Sequence, residues 1–389
     1  MKNKEYLLIP GPTPLSEEVY EALGQEIIGH TDPRFIKIYK HAIELTKELF
    51  RTNAEAYVIS GSGTLAMEMA IVNTVSKGQR LLVISHGYFG DRFVPMAEAF
   101  GIEVDVLQAK WGEQVSVEQV VHQLKKHDYK AVTVTHVDTS TAVMANISQL
   151  IPVVKRAGAL FILDGVCASA ALDEDMSKSY GGAENKIDIV LTGSQKAIGA
   201  PPGLAIIAFS EQAVAARESM EQIPAYYTDI KNWRKVMEDP GAYFATPPVN
   251  LIYAYESAMK LVLEEGMEAR VERHDKYGKA IRRSLHAFGM RSLAKEEVAA
   301  PTLSCILYPE GIDDKEFRRR LQVKGIVVAG ALGELAGKAF RIGHMGNTTP
   351  EMLEYTIRQM AVVLEEMGHK VSVGAALKAF REVLAVETV

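Results

Sequence analysis

Lys196 sits in a run of small residues, Thr192-Gly193-Ser194-Gln195-Lys196-Ala197-Ile198-Gly199-Ala200-Pro201-Pro202-Gly203. The apolar stretch before it, Ile187-Asp188-Ile189-Val190-Leu191, reads as a buried strand. A lysine just past the end of such a strand stands where α/β proteins present reactive groups. Its neighbours lack the charges of a solvated face. Partial withdrawal of a lysine from water favours the neutral amine, whose lone pair is then free for Schiff-base chemistry. The competing reading is a surface lysine in a turn, and the rest of the chain weighs against it.

Other strand ends carry groups that would complete such a site. Gly61-Ser62-Gly63-Thr64 lies between a strand and a helix, where backbone N–H groups and the helix end can hold an anion. The hydroxyls of Ser62 and Thr64 would add hydrogen bonds, although ordinary helix capping uses the same residues. The tetrad matches neither a Walker A loop nor the dinucleotide fingerprint. Asp164 closes the apolar run Leu160-Phe161-Ile162-Leu163. A buried carboxylate needs a partner; one is the next helix, another a cationic ring nitrogen that it keeps protonated. Phe89, in His86-Gly87-Tyr88-Phe89-Gly90, has glycines close on both sides and suits stacking on a planar group, with core packing as its commoner fate. Asp138-Thr139-Ser140-Thr141 closes another strand with hydroxyls, or caps a turn. Arg341 lies in Phe340-Arg341-Ile342-Gly343-His344, within an apolar strand. Its planar fork suits a substrate carboxylate, and a structural ion pair is the alternative. Together a lysine, an aspartate, an anion cradle, a stacking ring and a carboxylate-binding arginine are the inventory for pyridoxal phosphate catalysis.

These groups need a scaffold of alternating elements. Ala56–Ser60, Arg80–Ser85, Glu103–Leu107, Ala131–Thr135, Leu160–Leu163, Ile187–Leu191 and Leu204–Phe209 have strand length and β-branched content. Helical patterns at Thr64–Val75, Phe93–Phe100, Val117–Lys126 and Ser148–Ala157 fall between several of them. The alternation predicts a mostly parallel sheet covered on both faces. The last two strands are joined too closely for a crossover helix and are expected to pair antiparallel. Beyond about Asn250 the pattern becomes a long helix over Val249–Leu263, a charged helix to about Phe288, and a smaller α+β set. That set has strands at Thr302–Leu307, Ile326–Ala329 and Ala339–Ile342, with helices at Asp313–Lys324 and Pro350–Met367 and a terminal helix over Val371–Val389. The expected organisation is an N-terminal arm (1–15), a large cofactor-binding domain (16–250) and a small α+β domain (251–389) bridged by the helix at 249–263. No internal repeat, heptad seam or low-complexity tract stands out.

Composition narrows the class. With 389 residues, 48% of them hydrophobic, the chain can bury a large core. A net charge of −6 without a basic cluster argues against nucleic acid as a partner. No apolar run approaches the roughly 18 residues of a membrane span. Met1-Lys2-Asn3-Lys4-Glu5 leads into an apolar segment too short for a secretory signal, so the expected location is cytoplasmic. Two cysteines, Cys167 and Cys305, make no disulfide framework. The ten histidines are scattered; His136 with Asp138 is the nearest approach to a ligand pair, and no metal site is expected.

The sequence resembles the class V aminotransferases, nearest the alanine–glyoxylate and serine–pyruvate aminotransferase group. The correspondence runs through Pro10-Gly11-Pro12-Thr13, Gly29-His30-Thr31-Asp32-Pro33, Ser60–Thr64, Gly87–Arg92, Asp138–Thr141, Asp164 and Gly193–Gly203. It continues in Tyr243-Phe244-Ala245-Thr246-Pro247-Pro248 and ends at Phe340-Arg341-Ile342-Gly343-His344-Met345-Gly346, nearly the whole chain. The resemblance implies a fold-type I pyridoxal 5′-phosphate-dependent transferase, α/β, with a mostly parallel seven-stranded sheet and a smaller α+β C-terminal domain. It implies that Lys196 is the Schiff-base lysine and Asp164 the partner of the pyridine nitrogen, that Phe89 stacks on the ring and Thr139 flanks its hydroxyl. It further implies that Ser62, Gly63, Thr64 and Gln195 hold the phosphate and Arg341 the substrate carboxylate. Tyr243 and Thr246 would reach the phosphate of a neighbouring subunit, which makes the expected assembly a homodimer with shared active sites. Two positions depart from the family pattern: His86 stands where asparagine is common, and Ala142 where glycine is usual.

The implied activity is ping-pong transfer of an amino group from a small amino acid, alanine or serine, to a small 2-oxo acid, glyoxylate or pyruvate. Alternatives on the same fold are an aminoethylphosphonate or ureidoglycine transaminase, a lyase or a cysteine desulfurase. A desulfurase needs a thiolate on a mobile loop, and Cys305 in a strand and Cys167 in a buried turn do not suit it. A non-catalytic accessory protein is a different class of reading, against which the intact lysine, aspartate and arginine count. A Rossmann dehydrogenase lacks its glycine fingerprint here.

Overall fold

The computed structural model describes residues 5–385. The first four residues of the expected arm, where the targeting reading falls, and the last four of the expected terminal helix lie outside them.

Seven strands build the main sheet: β1 (Glu55–Ser60), β2 (Arg80–Ser85), β3 (Glu103–Gln108), β4 (Ala131–Thr135), β5 (Leu160–Asp164), β6 (Ile189–Gly193) and β7 (Leu204–Phe209). Their order is β1-β7-β6-β5-β4-β2-β3. β7 runs antiparallel to both neighbours, as its short link to β6 requires, and every other pair is parallel. β4 to β7 are buried at every residue, which their unbroken apolar sequences permit because helices cover both faces. The C-terminal ends of β1 to β6 therefore share one edge. The segments bearing Ser62, Phe89, Thr139 and Lys196 leave from that edge, and Asp164 ends β5 there.

One strand is displaced from its expected range. β6 starts at Ile189 rather than Ile187 because Asp188 is engaged beside the sheet. Its carboxylate accepts the Phe161 N–H at 2.7 Å and the Lys155 ammonium at 2.6 Å. The ladder in turn extends through Thr192 and Gly193, which pair with Ile206 and Ala205. Lys196 consequently lies three residues beyond the strand. Helices occupy Gly63–Val72, Val117–Leu124 and Ile147–Arg156, each ending short of its expected limit. Phe89 lies in a one-turn helix, Tyr88–Asp91, and not in a loop.

A second sheet holds β8 (Arg291–Ser292), β9 (Leu303–Leu307), β10 (Ala329–Gly330) and β11 (Ala339–Gly343) in the antiparallel order β8-β9-β11-β10. The expected strand at Ile326–Ala329 is divided. Ile326–Val327 pairs in parallel with Tyr6–Leu7 of the arm, and Ala329–Gly330 joins β11. The arm goes on to donate through Leu8 N–H to Val327 at 2.9 Å and to accept the Gly343 N–H at 2.8 Å.

The helices Val249–Glu265 and Met267–His286 meet at Gly266, whose φ of +81° breaks the run. The first gives Ile252, Tyr255 and Met259 to the core of the main sheet; the second gives Ile281 and Leu285 to a separate core with Phe317, Phe340 and Ile357. Arg270, on the second helix, donates to the carbonyls of Ala170 and Ala197 at 2.7 Å each. One buried guanidinium thus anchors both the turn after Asp164 and the loop after Lys196.

Candidate active site

A pocket of about 130 Å³ opens at the shared strand edge. It brings together Ser62, Gly63, Thr64, Phe89, Thr139, Asp164, Gln195 and Lys196, eight of the residues singled out in the sequence.

Lys196 reaches across the pocket, and its ammonium donates to the carbonyl of Pro10. The arm closes on the same loop: Thr13 N–H donates to Gln195 O at 3.1 Å, and Thr13 Oγ1 donates to Lys196 O at 2.7 Å. Gly11 makes this approach possible. Its φ is +109°, and a Cβ there would stand 2.5 Å from Lys196 Cδ.

Asp164 is buried at the end of β5. Its carboxyl accepts the Val166 N–H at 3.0 Å and lies 3.4 Å from the Thr135 hydroxyl. Burial pushes its pKa up to about 7, with repulsion from Asp138 and Glu174 adding to the effect and these hydrogen bonds opposing it. Neither partner is a cation. The helix that Asp164 was expected to cap is not there; its bond to Val166 holds a turn instead and leaves the carboxyl without a counter-charge among the described residues.

Asp138 shapes the wall opposite. Its Oδ2 accepts the N–H groups of Phe89 and Gly90, each at 3.0 Å. Its Oδ1 accepts Ser140 N–H at 2.9 Å and Ser140 Oγ at 2.5 Å. The turn role is again real, and the same carboxylate also fixes Phe89. Ala142, at the position where the family pattern has glycine, has a φ of +57°. That left-handed backbone explains a glycine there and makes the alanine a strained substitute. His86 is buried, and loss of solvent pulls its pKa down to about 4.

Ser62 occupies the N-cap of Gly63–Val72 but makes no capping hydrogen bond, so its hydroxyl is uncommitted at a helix N-terminus. The Oε1 atom of Gln195 is buried without a partner. Two hydroxyls, the opening N–H groups of a helix and the donor NH2 of the Gln195 amide suit a phosphate. The cationless carboxyl of Asp164 suits a protonated ring nitrogen. The residues present therefore fit pyridoxal phosphate.

Arg341 sits on β11, where its guanidinium donates to Gly330 O at 3.0 Å and Thr139 O at 3.3 Å. Among the described residues it has no carboxylate partner, so the ion-pair alternative finds no support there. Burial lowers its pKa. Tyr243 and Thr246 do not line the pocket of this chain. Tyr243 is 65% exposed, and its hydroxyl lies 3.3 Å from Thr246 Oγ1. His136 and Asp138 do not act as a pair: His136 Nδ1 bonds to Glu174 Oε1 at 2.7 Å, while Asp138 faces Phe89. Both cysteines are buried, and Cys305 is pushed up to about 12 by burial.

Sequence reasoning assigned no role to Pro10, Gly11, Thr13, Arg92, Thr135 or Val166, all of which touch this site. The Pro-Gly-Pro of the arm was a signal for a special backbone, but nothing local says what that backbone approaches.

The profile of the aminotransferase class-V family matches residues 6–344. An aminotransferase of Methanocaldococcus jannaschii is 39% identical, covering 99% of this chain and 98% of that protein. Alanine–glyoxylate aminotransferase 1 of Saccharomyces cerevisiae is 35% identical over 89% of this chain and 93% of its own. Among solved structures, ureidoglycine–glyoxylate aminotransferase from Bacillus subtilis superposes with a TM-score of 0.91 at 27% identity, covering 99% of both chains.

Proposed function

This chain belongs to the class-V aminotransferase family, and we propose that it moves an amino group from alanine or serine to glyoxylate or pyruvate in a ping-pong sequence. Its cofactor is pyridoxal 5′-phosphate, which when bound supplies an electron sink for the reaction at the substrate Cα. Lys196 carries the cofactor on its amine. With its amine free, Lys196 Nζ would move the proton at the substrate Cα. Asp164 holds a proton on the ring nitrogen, a role that a buried carboxyl without a cation is disposed to take. Phe89 stacks on the ring, and Thr139 flanks its hydroxyl. Ser62, Gly63, Thr64 and Gln195 hold the phosphate, and Arg341 grips the substrate carboxylate with its fork.

The observation that carries this reading is the convergence of Lys196 and Asp164 in one pocket, with Arg341 bonded to its Thr139 wall and free of any carboxylate. Small substrates are favoured by the yeast relative's name, and glyoxylate appears in the names of both the yeast and Bacillus proteins. Tyr243 and Thr246, which do not line this chain's pocket, are placed in the reading at the phosphate of a second copy in a homodimer. No helix among the described residues is long and apolar enough to cross a membrane, and a cytoplasmic location is part of the proposal.

Half-reactions read at the cofactor's absorbance test the substrates. Alanine or serine is expected to convert the cofactor to its amine form, and glyoxylate or pyruvate to return it. Turnover confined to ureidoglycine, aminoethylphosphonate or cysteine would replace this substrate assignment. A desulfurase is disfavoured by the buried, protonated Cys305 and by the buried Cys167.

A further inference from the structure

We propose that Arg92 supplies the positive charge for the cofactor's phosphate, an inference that rests on the aminotransferase reading above. Arg92 follows the one-turn helix of Phe89 and lines the same pocket. Its Nη1 donates to Thr64 Oγ1 at 3.1 Å, on the first turn of the helix that starts the anion cradle. Its guanidinium carbon lies 4.9 Å from the centroid of Phe89 and 5.6 Å from that of Tyr88. Aromatic faces and a hydroxyl therefore hold the fork, and no carboxylate among the described residues pairs with it. Asp91, the nearest acid in sequence, is occupied by Ser85 Oγ at 2.6 Å and Gln108 Nε2 at 3.0 Å.

Charge balance makes this cation informative. A phosphate monoester carries about −1.5 to −2 at neutral pH. The cradle assigned to it, Ser62, Gly63, Thr64 and Gln195, is made of neutral donors. A helix end contributes only about half a charge. Lys196 is needed for the aldehyde, and Arg341 is anchored on Gly330 and Thr139. Arg92 is the cation already bonded to a cradle residue. A planar fork that is free of carboxylates and adjacent to Thr64 can turn onto phosphate oxygens with little rearrangement. The same guanidinium could instead receive a second carboxylate on a dicarboxylic substrate, but its bond to Thr64 rather than to the Arg341 wall favours the phosphate.

The test compares the full-length chain with R92Q and R92K, each freed of cofactor and titrated with pyridoxal phosphate and with pyridoxal, which lacks the phosphate. Thermal melting checks the fold. R92Q is expected to weaken pyridoxal phosphate binding about ten- to a hundredfold and to change pyridoxal binding less than about twofold. R92K is expected to fall between, and it carries the comparison should R92Q not fold. Equal losses for both compounds would mean that Arg92 acts through Phe89, and unchanged binding would mean that it does nothing for the cofactor. A defect confined to dicarboxylic substrates would reassign it to them. Any of these three overturns the proposal. Failure of the underlying reading looks different: the unaltered chain would take up neither compound, and the proposal would fall with it.

Discussion

Asp138 accepts the main-chain N–H of Phe89 at 3.0 Å, tying this pocket-lining residue to a carboxylate on another strand end. The two residues lie 49 apart in sequence, yet one sets the position of the other. With Gly90 and Ser140 on the same carboxylate, Asp138 is the hub of this wall.

Replacing that hub with alanine strands several buried donors. Asp138→Ala is expected to destabilise the protein by about 2–4 kcal/mol, from the desolvated N–H groups left without acceptors. Phe89 is then less well held, so cofactor affinity falls together with stability. Urea unfolding and cofactor titration measure the two; full stability with normal affinity would contradict the role.

Arg341→Gln removes the fork while leaving the phosphate cradle intact. The half-saturating concentrations of both amino acid and oxo acid are expected to rise about tenfold or more, from loss of a charge-assisted pair. The cofactor's absorbance and affinity should stay as they are. Arg341→Lys keeps the charge but not the planar geometry and should recover only part of the loss.

Asp164 makes stability depend on pH in the cofactor-free protein. Its folded pKa of about 7 lies above the reference 3.8, so the folded state holds the extra proton between those values. Stability therefore falls as pH rises through that window. Asp164→Asn removes this penalty and is expected to stabilise the cofactor-free protein on the order of 2 kcal/mol at pH 8, while abolishing most activity. Denaturant curves at pH 5 and pH 8 should converge for the variant and differ for the parent. A variant that is less stable at both would refute the argument.

Gly11→Ala tests the arm. The added Cβ would meet the Lys196 side chain, and the φ of +109° is strained for alanine. A cost of about 1–2 kcal/mol in stability and a clear fall in turnover are expected, since the displaced group is the lysine proposed to react. A variant with parental kinetics would show that the arm does not set the position of Lys196.

The sheet was legible because burial on both faces forces continuous apolar strands, and such runs stand out against amphipathic helices. β2 and β4 match their expected ranges, whereas β6 slipped by two residues because Asp188 bonds to Phe161 and Lys155, partners that are distant in sequence. The groups around Lys196 were legible where a polar or special residue interrupts a strand end. Arg92 was hidden because an arginine near a helix looks like surface charge until its aromatic and hydroxyl neighbours are known. Pro10 and Thr13 were hidden for a similar reason: they reach Lys196 across more than 180 residues. The competing reading of Ser62 as an ordinary cap could be settled by geometry alone, since the hydroxyl makes no such bond.

Borohydride reduction of the cofactor-loaded protein, followed by peptide mapping, tests the central assignment most directly. The expected result is a single pyridoxyl adduct on the peptide that contains Lys196. A folded, cofactor-supplied sample with no adduct there, or with the adduct on another lysine, would contradict it.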